Sequence, residues 1–434
     1  MVCRCLMHQE EGIDTSTCEE NSTMPTTVVS FLGTGQKQNP QDSRSGYRTT
    51  TYRFTRPNGG EFLSTTSLFG TALIHFLRET NVTIDRWIVL GTSASLWSEL
   101  NQVLPNPDLV LEQYCAIDDL VAARSVDQAA LDAWQQTLNT QAHPLELRLC
   151  LTGEAIDPAS QQPIAAALFL NVPRDNNLVF DISHGFRHQP IIATNVVSLM
   201  RWTHSISSVS FYSGVWEARD HKNIAPVAVM PICQDLVHAT EAAATLALTG
   251  NFEPLARCLG YDAEMAWFLE NTNHLGNART QARHLRNLVT HYDDAVKAEL
   301  AALLQERLQW SEGDRFADRV LQSARTAVDR KDYLRAVILA YEALVIKAVQ
   351  VLHLNADPMN YQTREQTLTE LFAHLRGDDR ELVTDLQHTR NACAHGTRSD
   401  RASAQQVLAQ PQEFRRLIEK TFTLFDRLPQ LLTS

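Results

Sequence analysis

The run Thr27-Val-Val-Ser-Phe-Leu32 halts at Gly33-Thr34-Gly35-Gln36, and that change of character decides how the first half of the chain reads. A short, mainly apolar run describes a strand buried in a sheet, and small flexible residues after it describe the loop beyond its carboxyl end. Working outward, Tyr47 to Phe54 is rich in β-branched and aromatic residues and reads as a second strand, and Leu68 to Leu77 reads as a helix. Trp87-Ile-Val-Leu90 again ends in small residues, Gly91-Thr92-Ser93-Ala94. Leu145 to Leu149, Ile164 to Val172, Leu178 to Phe180 and Val209 to Tyr212 complete the strand candidates, with helical stretches between them. Such alternation predicts an α/β sheet with parallel order.

From about Gln234 the strand candidates stop. Ala/Leu/Glu/Arg-rich segments, among them Asp235 to Leu248, Ala298 to Gln309, Arg315 to Ala327, Tyr333 to Leu354 and Arg380 to Ala394, favour helices through their low side-chain entropy cost. The expected layout is an α/β N-terminal domain over residues 27–234 and an all-α C-terminal region. The polar stretch Met1 to Thr26 reads as a flexible tail without the apolar core of a signal peptide.

Length and composition bound the function. At 434 residues, 44% hydrophobic and 20% charged, the chain fits two or three globular domains. Its 38 basic against 50 acidic side chains, a net charge of −12, argue against nonspecific coating of nucleic acid or anionic membrane. No run of about 18 apolar residues occurs, so no membrane span is expected. Eight cysteines, Cys3, Cys5, Cys18, Cys115, Cys150, Cys233, Cys258 and Cys393, lack metal-site spacing and read as reduced thiols of a cytoplasmic protein, with no metal expected.

Candidate chemistry lies at the strand ends. Gly33, Thr34, Gly35 and Gln36, then Thr92 and Ser93, then Ser183-His184-Gly185-Phe186-Arg187 after Leu178 to Asp181, form three loops of the kind that receive phosphate beyond an open α/β sheet. An ordinary strand-to-helix turn accounts for any one of them. A dinucleotide fingerprint fails because Gln38 stands at the third glycine position. Arg187 has the fork geometry for phosphate and Gly185 permits close backbone approach; a structural alternative has His184 capping the next helix and Arg187 pairing with a carboxylate. In the helical half, Arg390-Asn391-Ala-Cys-Ala-His395-Gly396 combines a guanidinium and an imidazole about 140° apart on a helix that Gly396 would end. Asn391 and His395, at i and i+4, share a face, so Asn391 could orient the imidazole. Arg and His suit metal-free RNA cleavage, in which the 2′-OH is the nucleophile; salt bridges and helix capping are the structural alternative.

Taken together, these residues resemble the CRISPR-associated ribonucleases that join an N-terminal CARF sensor to a C-terminal HEPN effector. Phe31 to Gly35 with Tyr47 to Phe54 is similar to the opening of one CARF branch, and Asp181-Ile-Ser-His-Gly-Phe-Arg-His188 to its most recognisable motif. Arg390 to His395 fits the HEPN pattern of Arg, four residues and His, and Glu342 sits on an earlier helix where HEPN domains often carry an acid. The resemblance implies a Rossmann-like sensor at 27–234, a HEPN domain at 331–434, and a helical linker or insertion at 235–330. Arg279, Arg283, His284 and Arg286 in that segment offer a solvated surface or an RNA path.

It further implies a cytoplasmic homodimer of type III antiviral defence that binds a cyclic oligoadenylate, with the tetramer expected, and cuts single-stranded RNA without a metal. Arg390, Asn391 and His395 would be its catalytic residues. Alternatives from other classes are a nucleotide sensor whose helical half has lost catalysis, and a ring nuclease in which His184, His188 or Ser93 assists breakdown of the activator.

Overall fold

The computed structural model describes residues 24–39, 46–289, 292–313 and 315–433. Most of the N-terminal tail, with Cys3, Cys5 and Cys18, lies outside the described residues. Between Asp235 and Leu236 the chain divides into two compact units.

The first unit is a mixed eight-stranded sheet: β1 (Thr26–Leu32), β2 (Thr50–Thr55), β3 (Glu61–Thr66), β4 (Ile84–Gly91), β5 (Glu146–Leu151), β6 (Asn177–Asp181), β7 (Ser208–Gly214) and β8 (Ile224–Val229), in the order β3-β2-β8-β7-β6-β1-β4-β5. β7, β6, β1, β4 and β5 are parallel neighbours. Renumbered among themselves, these five follow the 3-2-1-4-5 order of a doubly wound sheet, and the order reverses between β1 and β6. All seven residues of β1 are buried, as a central strand covered on both faces requires.

Five helices cover the faces: α1 (Phe69–Glu79), α2 (Leu111–Ala122), α3 (Gln128–Ala142), α4 (Pro158–Asn171) and α5 (His188–Thr203). One core gathers α1, α2 and α3 around Trp87, Trp97 and Phe54; the other sets α4 and α5 against Val29, Ile88 and Phe180. The outer backbone of edge strand β5 is bonded by side-chain amides of α3. Leu147, Leu149 and Leu151 donate N–H to Asn139, Gln135 and Gln128 at 2.7, 2.8 and 2.9 Å, and Asn139 and Gln128 return bonds to the Leu147 and Leu149 carbonyls at 3.0 Å.

The strand expected over Ile164 to Val172 is instead the body of α4. Its run is apolar from Ile164 to Leu170, which suits a strand or a helix alike. Asp157 decides the outcome: it accepts from Ala159 and Ser160 N–H in a capping box, with Pro158 in the first turn. β3 and β8 were not anticipated; β8 carries Pro226, where its pairing passes from β2 to β7.

The second unit is helical among its described residues: α6 (Pro231–Thr249, whose first turn precedes the division), α7 (Glu253–Cys258), α8 (Glu264–Asn271), α9 (Leu275–Leu288), α10 (Ala295–Arg307), α11 (Phe316–Asp329), α12 (Tyr333–Leu352), α13 (Tyr361–His374), α14 (Gly377–His395), α15 (Ala402–Ala409) and α16 (Pro411–Thr433). Two cores form here, one among α6 to α10 and one centred on α12, which packs against α11, α13, α14 and α16. α12 is apolar nearly all round, as a central helix must be. No helix among the described residues is long and apolar enough to cross a membrane.

Candidate functional site

In an open α/β sheet the ligand crevice lies beyond the carboxyl ends of the strands where their order reverses. Here that is the junction of β1 and β6, and the three loops singled out in the sequence meet around it. A Cβ added to Gly33 would lie 3.4 Å from the His184 Cβ and 3.6 Å from the Gly185 nitrogen. Ser95 Oγ donates to the Leu32 carbonyl at 2.6 Å and Leu96 N–H to the Gly33 carbonyl at 3.0 Å, which laces the loop after β4 to the loop after β1.

The loop after β6 is fixed from several sides. Asp181 accepts from Ser183 N–H at 2.8 Å, and Ser183 Oγ accepts from Gly214 N–H at 2.7 Å. Gly185 adopts φ +86°, where a Cβ would also meet Gln189 Oε1 at 2.8 Å and Phe31 Cβ at 2.9 Å, so both the conformation and the space require glycine. Gln189 accepts from Phe186 N–H at 3.1 Å and donates to the Gly153 carbonyl at 3.0 Å, and a ring nitrogen of His188 lies 2.9 Å from the Glu154 carbonyl. The loop after β5 therefore joins the same rim.

Against this scaffold the candidate ligand groups stand open. Thr34, Gly35, Gln36, Gly185, Phe186 and Arg187 are exposed, and Gly33, Thr92, Ser93, Ser183 and His184 are half-buried. Arg187 makes no hydrogen bond or ion pair among the described residues, so the carboxylate pairing allowed by the sequence is not seen. Nor does His184 cap the following helix: its Nε2 lies 3.5 Å from Phe69 N–H, at the start of α1. Beneath the rim, Asp181 is 1% exposed, and its Oδ2 has no hydrogen-bond partner among the described residues. Burial drives its pKa up, partly opposed by the charge of His184. Sequence reading missed Arg48, which donates to Gln36 Oε1 at 3.2 Å across the loop; only its place at the start of a strand candidate marked it.

The helical unit holds the second constellation within itself. α14 ends at Gly396 with φ +63°, in the left-handed conformation that stops a helix. Arg390 donates to Asn391 Oδ1 at 2.9 Å, approaches Glu342 Oε1 at 3.8 Å and lies over the Tyr341 ring at 5.4 Å. Its Nε is buried without a hydrogen-bond partner among the described residues. Glu342, on α12, also receives Arg364 of α13 at 2.5 Å. One carboxylate thus joins three helices and holds Arg390 in place; Arg364 was not foreseen because nothing local marks it. His395 is exposed on the last turn and makes no hydrogen bond among the described residues, Asn391 being engaged by Arg390 instead. The arrangement offers an anchored guanidinium and a solvent-accessible imidazole five residues further along the same helix.

No protein-family model matches this chain, and no curated protein matches it.

Proposed function

We propose that the chain is an endoribonuclease switched by a cyclic oligoadenylate, acting on single-stranded RNA in type III CRISPR antiviral defence in the cytoplasm. The observation that carries this reading is the exposed, uncommitted His395 at the end of the helix on which Glu342 anchors Arg390. An imidazole can move the proton of a 2′-OH or of the leaving 5′-oxygen, and a guanidinium fixed in place can stabilise the charge of a phosphorane. Asn391, bonded to Arg390, aligns that guanidinium. The RNA supplies its own nucleophile, so the reaction is expected to persist in EDTA and to leave a 2′,3′-cyclic phosphate.

Two features support the sensor half. The crevice at the β1/β6 junction presents Arg187, unpaired among the described residues, for phosphate and exposed Phe186 for stacking against a base. On α5, Ile191, Leu199 and Trp202 form one exposed apolar stripe at 64%, 53% and 71% exposure. A second copy of the chain covering that stripe would give a two-fold assembly, and a symmetric ring of four adenylates suits a two-fold axis.

The test is cleavage of a labelled single-stranded RNA with and without cyclic tetra- and hexa-adenylate. Cleavage that depends on one ring and disappears in His395→Ala is the expected result. A rate unchanged by either ring removes the switch, and full activity of His395→Ala or efficient cutting of a 2′-deoxy substrate removes the catalytic assignment.

A further inference from the structure

The helical unit contains a cavity of about 700 Å³ that neither proposed site uses. It lies among α6, α8, α10, α11 and the start of α12, and its two walls differ in chemistry. One is apolar, built from Leu246, Leu303 and the Trp310 indole, whose Nε1 has no partner among the described residues. The other carries three guanidinium groups and one carboxylate. Glu270 is 3% exposed; its Oε1 accepts from Arg307 and, at 3.2 Å, from Arg335, while its Oε2 is unpartnered among the described residues.

Arg330 is the third guanidinium. It sits at the end of α11 against Gly250, half-buried, with no hydrogen bond or ion pair among the described residues. Burial first, and then the charge of Arg307, holds its pKa below the ordinary arginine value.

The remaining charges on the lining are engaged or peripheral. Asp332 caps α12, Asp318 pairs with Lys347 at 3.4 Å, Arg319 donates to the Gly313 carbonyl at 2.6 Å, and Glu306 is exposed. Two guanidiniums therefore share the buried Glu270 carboxylate while a third, Arg330, has no ion-pair partner among the described residues, and a partly desolvated, unpaired cation calls for an anion. Planar guanidinium forks match phosphate oxygens, and the volume falls in the range of small-molecule sites.

We propose that this cavity binds a small phosphorylated molecule of nucleotide size, its phosphates on Arg330 and the adjoining Arg307 and Arg335, its apolar part against Trp310 and Leu246. This site is separate from the strand-end crevice of the first unit.

The experiment is calorimetric titration of the full chain with pyrophosphate and with ATP, repeated on Arg330→Ala, Arg330→Lys and Arg187→Ala. Expected are ATP binding at least about tenfold tighter than pyrophosphate, a loss of about tenfold or more in Arg330→Ala, partial retention in Arg330→Lys, and no change in Arg187→Ala. Because the Arg330 guanidinium makes no hydrogen bond or ion pair among the described residues, circular dichroism should find Arg330→Ala folded; if that variant unfolds, the Lys variant must still show weakened ATP binding. Absence of ATP binding, equal affinity for pyrophosphate and ATP, equal binding by wild type and folded Arg330→Ala, or loss confined to Arg187→Ala would each overturn the proposal.

Discussion

The His395 side chain makes no hydrogen bond or ion pair among the described residues, so its chemistry and its contribution to stability separate cleanly. His395→Ala is expected to leave the denaturation midpoint within about 0.5 kcal/mol of wild type and, under the proposed function, to lower RNA cleavage by about 100- to 10,000-fold. Glu342 behaves in the opposite way. Removing its carboxylate leaves the guanidiniums of Arg364 and Arg390 facing one another; with partial solvent screening Glu342→Ala should cost about 1–2 kcal/mol in urea denaturation and also slow cleavage. An unchanged midpoint would show that Arg390 is held by something else. Asp181 gives a pH signature. Its folded pKa is raised by burial, so above the ordinary carboxylate range the folded state holds a proton that the unfolded state has released. Wild-type stability then falls as pH rises from that range to the folded pKa. Asp181→Asn lacks this loss, so the variant's stability relative to wild type should climb with pH over that window; a pH-independent difference would refute the assignment. The Arg390 to His395 pattern was legible because its spacing is local, whereas the Glu342 bridge depends on tertiary packing that no single stretch of sequence encodes.

At the scale of elements, the packing at the start of α1 sets the sharpest constraint. A Cβ at Gly70 would lie 2.7 Å from Ser30 Oγ, 2.8 Å from the Trp87 ring and 3.2 Å from Asp181 Oδ2. The Ser30 hydroxyl is itself held, accepting from Trp87 Nε1 at 3.0 Å. Gly70→Ala should therefore overpack the junction and cost about 1–3 kcal/mol in thermal or chemical denaturation; a neutral result would mean that α1 can slide away from β1. The same elements show why the fold was partly readable. β1, β4 and β6 announce themselves as apolar runs because both of their faces are covered. β3 was missed because Glu61, Leu63 and Thr65 alternate outward and leave only a weak pattern, and β8 because proline argues against an interior strand. The Ile164 run misled for a different reason: apolar residues also occupy the helix's exposed face, Leu170 among them, which erases periodicity, and only the cap at Asp157 distinguishes helix from strand.

For the whole molecule, separate cores in the two units predict two calorimetric unfolding transitions rather than one. Under the proposed function, cyclic tetra-adenylate at about 100 times its Kd should stabilise the sensor unit by about 2.7 kcal/mol, and Arg187→Ala should lose most of that shift at the same ligand concentration. A single transition, or a shift that survives in Arg187→Ala, would contradict this. The amides of Gln128, Gln135 and Asn139 along β5 bear on association of another kind. A bare strand at a sheet's rim is a template on which a further strand, from the same protein or a foreign peptide, can crystallise its backbone. Here the amides occupy that template, so growth of the sheet in this direction is blocked by chemistry rather than by bulk. Replacing Gln135 and Asn139 by leucine would reopen it, turning a terminus of the sheet into a seed for fibrous aggregates.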